Sequence, residues 1–238
     1  MITYRNKFFV NFFKKNPFIS KFSMSGFANL ANIFMPIVIM PIIISNAGSE
    51  IFAKYLLFNT TMLIIFTLSD LGVGYSFKRN ILIENAEIER SKLFSNQFIF
   101  QLITIIFITI LYLILEKIFV SRNNFFIEFN AYMIGTYLIS MFLYSQGINY
   151  LRYTNNISKM AISLFIYPIL MIFLVSIFYK VESIDVSKLN IAIYSNHLAM
   201  FIPGLINIIS NILRKQLILS FYDYKSLIID LRIGIYIK

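Results

Sequence analysis

Few side chains in this 238-residue chain are suited to covalent chemistry. It contains no cysteine and a single histidine, His197. Disulfides, thiolate metal sites and cysteine nucleophiles are therefore excluded, and a histidine metal cluster cannot be assembled. No Asp or Glu lies near enough to His197 in sequence to suggest an acid–base dyad. There is no phosphate-cradling glycine loop, nucleophile elbow or pair of carboxylates. What remains is neutral hydrogen-bonding chemistry at helical spacing. Gln97, Gln101 and Thr104 follow one another at i, i+4 and i+7, and His197, Gly204, Asn207 and Asn211 form a second stripe beside Pro203. Asn29 and Asn32 align with Pro36, and Pro36 and Pro41 each remove a backbone donor from their helix. Ordinary interhelical hydrogen bonding and packing around a proline kink are the plain alternatives to a functional role for these groups.

The elements that carry these stripes are long apolar rods. Hydrophobic residues make up 58% of the chain and charged residues only 13%, about half of what a soluble domain carries. A membrane span needs about 20 mostly apolar residues. Six segments qualify, with cores near Gly26 to Ser45, Tyr55 to Tyr75, Asn96 to Leu115, Phe129 to Gly147, Ala161 to Tyr179 and Ile191 to Leu213. Asp70 is the one formal charge inside them. It has two structural options and one functional one: an ion pair with Lys78 or Arg79, a cap on the turn at Gly72, or a cation ligand. The expected fold is an all-α integral membrane protein of about six transmembrane helices.

Charge sets the expected orientation. With the N-terminus inside, Lys54, Lys117, Arg122, Lys180 and Lys188 fall on the outer side, and the other sixteen Lys and Arg fall on the inner side. Such a bias places both ends in the cytoplasm. The net charge of +10 is not arranged in a polar, foldable segment that would present it to nucleic acid, so anionic lipid is the expected partner of the basic residues. Residues 1–21 read as a basic N-terminal segment, either an interfacial helix with Phe8, Phe9, Phe12 and Phe13 on one face or a topogenic tail. They do not read as a cleavable signal. Residues 22–213 form the six-helix unit. Residues 214–238 read as a cytoplasmic linker followed by the start of a seventh helix. The loops are too short for a soluble catalytic domain, so any function must live among the helices.

Two runs in the first third carry a family resemblance. Asn46-Ala47-Gly48-Ser49-Glu50-Ile51-Phe52-Ala53-Lys54-Tyr55 resembles the glycine-containing turn that closes the first helix of polysaccharide flippases, with Ala53 in place of the usual second glycine. Ser69-Asp70-Leu71-Gly72-Val73-Gly74, followed by Lys78-Arg79-Asn80-Ile81, resembles the close of their second helix. The helix spacing over residues 22–213 resembles their N-terminal half. The family is the O-antigen and polysaccharide flippases, in the superfamily that includes lipid II flippases and multidrug and toxin extruders.

The resemblance implies one lobe of a two-lobed transporter. Either the chain is a fragment of such a transporter or its partner lobe comes from elsewhere, and a second lobe or other polysaccharide-assembly proteins would be partners. The cargo would be an undecaprenyl-diphosphate-linked oligosaccharide, an O-antigen or capsule repeat unit, crossing the bacterial inner membrane by alternating access with no covalent step. No cofactor is expected beyond a coupling ion, H+ or Na+. The residues that would line the cargo's path are Asn29, Asn32, Lys54, Gln97, Gln101, Arg152 and Asn207, with Pro36 and Pro41 as bending points. Gly48, Asp70 and Gly72 match the family motifs in structural roles. Two alternatives stay open: a cation-coupled multidrug exporter of the same superfamily, and an inactive half-transporter. An O-antigen polymerase or membrane acyltransferase would need a long outer loop or a histidine–acid pair, neither of which the sequence contains.

Overall fold

The computed structural model describes residues 17–70, 87–119, 131–181 and 187–213. All the regular structure among them is helical: α1 Pro17–Ala47, α2 Ser49–Ser69, α3 Glu87–Phe119, α4 Ala131–Tyr153, α5 Ile157–Phe178 and α6 Lys188–Leu213. The expected break at residue 21 falls inside α1, which runs through it. Phe8 to Phe13, Gly72, Lys78, Arg79 and residues 214–238 lie outside the described residues.

Four of the helices contain stretches both long and apolar enough to cross a membrane: Ser49–Ser69, Ser91–Leu115, Ile157–Phe178 and Lys188–Leu213. They mark the chain as a membrane protein. In α1 the apolar stretch is the shorter Asn32–Ala47. α4 falls short because tyrosines, Gln146, Asn149 and Arg152 dilute it. Large aliphatic and aromatic residues cover the outside of the bundle, among them Ile33 and Ile37 on α1, Leu63 and Ile64 on α2, and Ile103 and Phe107 on α3. In water such a surface would be untenable, and in hydrocarbon it is the expected one.

The most extensive interfaces are α4 against α6 and α1 against α5. α6 is the central rod, with 61% of its apolar stretch buried against 17% in α2 and α3. The α4–α6 interface is close because of Gly204. A Cβ there would stand 2.6 Å from the Tyr144 amide nitrogen and 2.7 Å from the Leu143 carbonyl carbon, so only glycine lets the two backbones meet. One turn away on α4, Gly147 makes room for Asn207, whose Cβ lies 3.0 Å from where a Gly147 Cβ would be. Gly48 alone separates α1 from α2. Its φ of +93° and ψ of 163° lie in a region that L side chains rarely adopt, and this sharp corner reverses the chain.

Candidate functional site in the bundle interior

Lipid supplies no hydrogen bonds, so each polar side chain at membrane depth must find its partner inside the bundle. The interior does this in two polar layers. The first lies toward the α1–α2 corner and joins four helices. The Asn196 amide on α6 donates to Tyr55 Oη at 3.1 Å, Asn59 Oδ1 at 3.1 Å and Tyr137 Oη at 2.6 Å, and its Oδ1 accepts from Tyr167 Oη at 2.8 Å. Tyr137 Oη also donates to Asn59 Oδ1. The Asn196 amide has two hydrogens and three acceptors, so its bonds are shared among them. Phe58 meets the Tyr137 ring edge-on at 5.1 Å and shields the junction.

Beside this junction, Ser140 Oγ lies 3.2 Å from His197 Nδ1 and donates to the Thr136 carbonyl at 2.9 Å. Nε2 of the same ring lies 3.4 Å from this hydroxyl, and which partner donates is set by the imidazole tautomer. Phe201 stacks on the imidazole at 5.9 Å between centroids. His197 also lines a groove of about 350 Å³ with Tyr132, Thr136, Phe178, Ile191, Tyr194 and Leu198. At the same end, Lys188 Nζ donates to the Asn46 carbonyl in the last turn of α1 at 2.8 Å, and Tyr179 Oη donates to the Lys188 carbonyl at 2.9 Å. This clasp places a cation at the negative end of a helix dipole.

The second layer lies toward the α4–α5 turn, about 16 Å along α6 at 1.5 Å per residue. Ser163 and Asn207 bond reciprocally between α5 and α6, at 3.1 and 2.9 Å. Gln146 on α4 donates to Gln101 Oε1 on α3. Among the buried polar atoms, Gln97 Oε1, Gln146 Oε1, Tyr144 Oη, Tyr153 Oη and Asn211 Nδ2 have no hydrogen-bond partner.

The structure distributes the sequence-derived candidates rather than gathering them around one cavity. Gln97 and Gln101 are buried in the α3–α4 seam and Asn207 in the α5–α6 seam. Asn29 is exposed on α1, as are Pro36 and Pro41. Lys54 pairs with Glu50 at 3.3 Å near the α1–α2 corner, and Arg152 is exposed in the last turn of α4. Asp70 is half-buried as the C-cap of α2.

Asn32 has a specific backbone role. Its Nδ2 donates to the Leu164 carbonyl at 3.2 Å. Leu164 stands four residues before Pro168, inside α5, so this carbonyl is the one the proline deprives of its helical donor. The Asn32 amide substitutes for the missing N–H.

Sequence reasoning missed the four-helix junction. The usable signal was Tyr55 and Asn59 at i, i+4 on one face of α2. Nothing in the sequence pairs that face with Asn196, which is 137 positions from Asn59. No protein-family profile matches the chain, and no curated protein and no solved structure is detectably similar to it.

Proposed function

We propose that the chain crosses the membrane six times as one lobe of a flippase. It passes an undecaprenyl-diphosphate-linked oligosaccharide from the cytoplasmic to the outer leaflet of a bacterial inner membrane, with both ends in the cytoplasm. The observation that carries this reading is the uncharged polar interior. Amide and phenol groups from four helices meet inside an apolar exterior, the chemistry that exchanges hydrogen bonds with sugar hydroxyls and that a purely structural bundle has little need to concentrate. The resemblance of the Gly48 and Asp70 segments to polysaccharide flippases selects the cargo. The one-residue corner at Gly48 stands where that resemblance expects a turn. Opening would part α2 from α4 and α6 at the junction, and the second lobe would complete the cavity.

Expression in a bacterium lacking its own repeat-unit flippase, with matched sugar assembly intact, tests the proposal. Restored surface polysaccharide supports it. Unrestored polysaccharide despite verified membrane insertion, both alone and beside a co-expressed second lobe, refutes it. A second reading, an exporter of organic cations, is favoured by Tyr132, Phe178 and Tyr194 around the His197 groove, since aromatic faces attract cations. Ethidium efflux from the same cells separates the two.

A further inference from the structure

The groove beside His197 opens sideways toward the membrane. Its lining, which includes Phe178, Ile191, Tyr194 and Leu198, encloses about 350 Å³, within the range of ligand sites. Three apolar residues border it: Ile139, one turn from Thr136 on α4; Ile177, next to Phe178 on α5; and Ile202, one turn from Leu198 on α6. Each is more than a third exposed. In a bilayer these side chains face hydrocarbon, so the groove is filled from the lipid side. Thr136 Oγ1 and His197 are already engaged, the first with the Tyr132 and Met133 carbonyls and the second with Ser140. Among the described residues, none that lines the groove carries a carboxylate. An occupant therefore meets aliphatic and ring surface without a counter-charge, which suits a neutral hydrocarbon chain better than a sugar or an organic cation.

Position and length narrow the occupant further. Along α6 the lining runs from Ile191 to Leu198, about 10 Å at 1.5 Å per residue. That is shorter than one leaflet's share, roughly 15 Å, of the hydrocarbon core. At one end of the groove Tyr179 Oη holds the Lys188 carbonyl at 2.9 Å, drawing the end of α5 to the start of α6. Lys180, two residues beyond Phe178, and Lys188, one turn before Ile191, are both exposed at this end, where the apolar stretches of α5 and α6 stop. Lys188 spends one of its three N–H bonds on the Asn46 carbonyl. Glu182 and Asp185, outside the described residues, balance the two lysines in sequence. The lysines therefore offer partners to the phosphate that every phospholipid carries, without selecting an anionic headgroup.

We propose that this groove binds one acyl chain of a membrane phospholipid, with the lipid's phosphate at Lys180 and Lys188. A chain confined to one leaflet and charged at its head end matches a short apolar groove with cations at one end. This inference goes beyond the flippase reading and does not rest on it, since lipid binding in micelles reads it out whether or not the chain moves a sugar.

The protein contains no tryptophan, so a single introduced one reports on its own position. Tyr194→Trp puts the reporter in the groove, and Phe107→Trp, at a position 64% exposed on α3, is the control. Phosphatidylethanolamine brominated on its acyl chains, which quenches indole on contact, is titrated into each full-length variant in maltoside micelles. Quenching of Tyr194→Trp is expected to saturate near one lipid per chain, while that of Phe107→Trp rises in proportion to the mole fraction of lipid. Thr136→Phe, or Leu198→Phe if the first does not fold, fills part of the groove. Either should weaken the saturable binding about tenfold, equivalent to about two methylenes left unburied. Lys180→Gln should weaken it about fivefold. Quenching proportional to mole fraction at both positions would overturn the proposal in favour of ordinary solvating lipid. So would saturable quenching that neither groove-filling variant weakens, which puts the chain elsewhere. Stronger competition by undecaprenyl phosphate than by unbrominated phosphatidylethanolamine would also overturn it, giving the groove to the cargo's tail.

Discussion

The bond from Asn32 to the Leu164 carbonyl is worth testing in depth, because the chemistry that demands it can be switched off. Replacing Asn32 with leucine leaves that carbonyl with no donor at all. Interhelical hydrogen bonds in membranes average about 0.6 kcal/mol and reach about 1.7, and stranding a buried acceptor costs about 1–3 kcal/mol. The bond is partly buried at 3.2 Å, so Asn32→Leu should cost about 1–2 kcal/mol. Pro168→Ala restores an N–H at position 168, and that donor bonds to Leu164 within α5. In this background Asn32→Leu should cost no more than about 0.5 kcal/mol, giving a coupling of about 1 kcal/mol in the double-mutant cycle. Whatever else Asn32 touches cancels in the cycle. Reversible unfolding by sodium dodecyl sulfate in mixed micelles gives the four stabilities. An equal cost for Asn32→Leu in both backgrounds would refute the assignment of Asn32 to the proline defect.

Gly204→Ala should destabilise the bundle by about 3 kcal/mol in the same assay, at the upper end for overpacking, because its Cβ meets the α4 backbone rather than a mobile side chain. Gly48→Ala should cost about 1–3 kcal/mol through strained backbone alone, since its Cβ would meet nothing within 4 Å; Gly26→Ala, equally open but helical, is the control and should be neutral or slightly stabilising. Asn196→Leu should cost about 1–3 kcal/mol by leaving the Tyr55 and Tyr167 hydroxyls without their partner. A Tyr167→Phe partner variant should then add little, which unfolding of the double variant would check.

The rods themselves were legible because an apolar run of span length has few other uses. The corner at Gly48 was legible because glycine at that point permits a turn that other residues resist. Which polar group meets which was not legible. Gln97, Gln101 and Asn207 read correctly as one-sided polar stripes, but a stripe says only that something faces it. Gln101 turned to Gln146, and Asn207 to Ser163. Pro168 drew no notice in the sequence, yet it explains Asn32, because the hydrogen-bond deficit on one helix is met from another 132 positions away. Periodicity along a helix holds no information about its rotation relative to its neighbours. That rotation is set by where glycines such as Gly204 let backbones approach.

The modest apolarity of α4 bears on how the protein is made. Tyr137, Ser140 and Gln146 find their partners on α2, α6 and α3. Of these, α6 leaves the ribosome well after α4 does. A segment diluted by phenols and amides gains little by dissolving in lipid alone, so in the six-span topology proposed above α4 would be the helix sheltered near the insertion machinery until α6 arrives. Bundle assembly and membrane integration would then be one event for the α4–α6 pair, and a lesion at Gly204 would register first as a failure of α4 to stay in the bilayer.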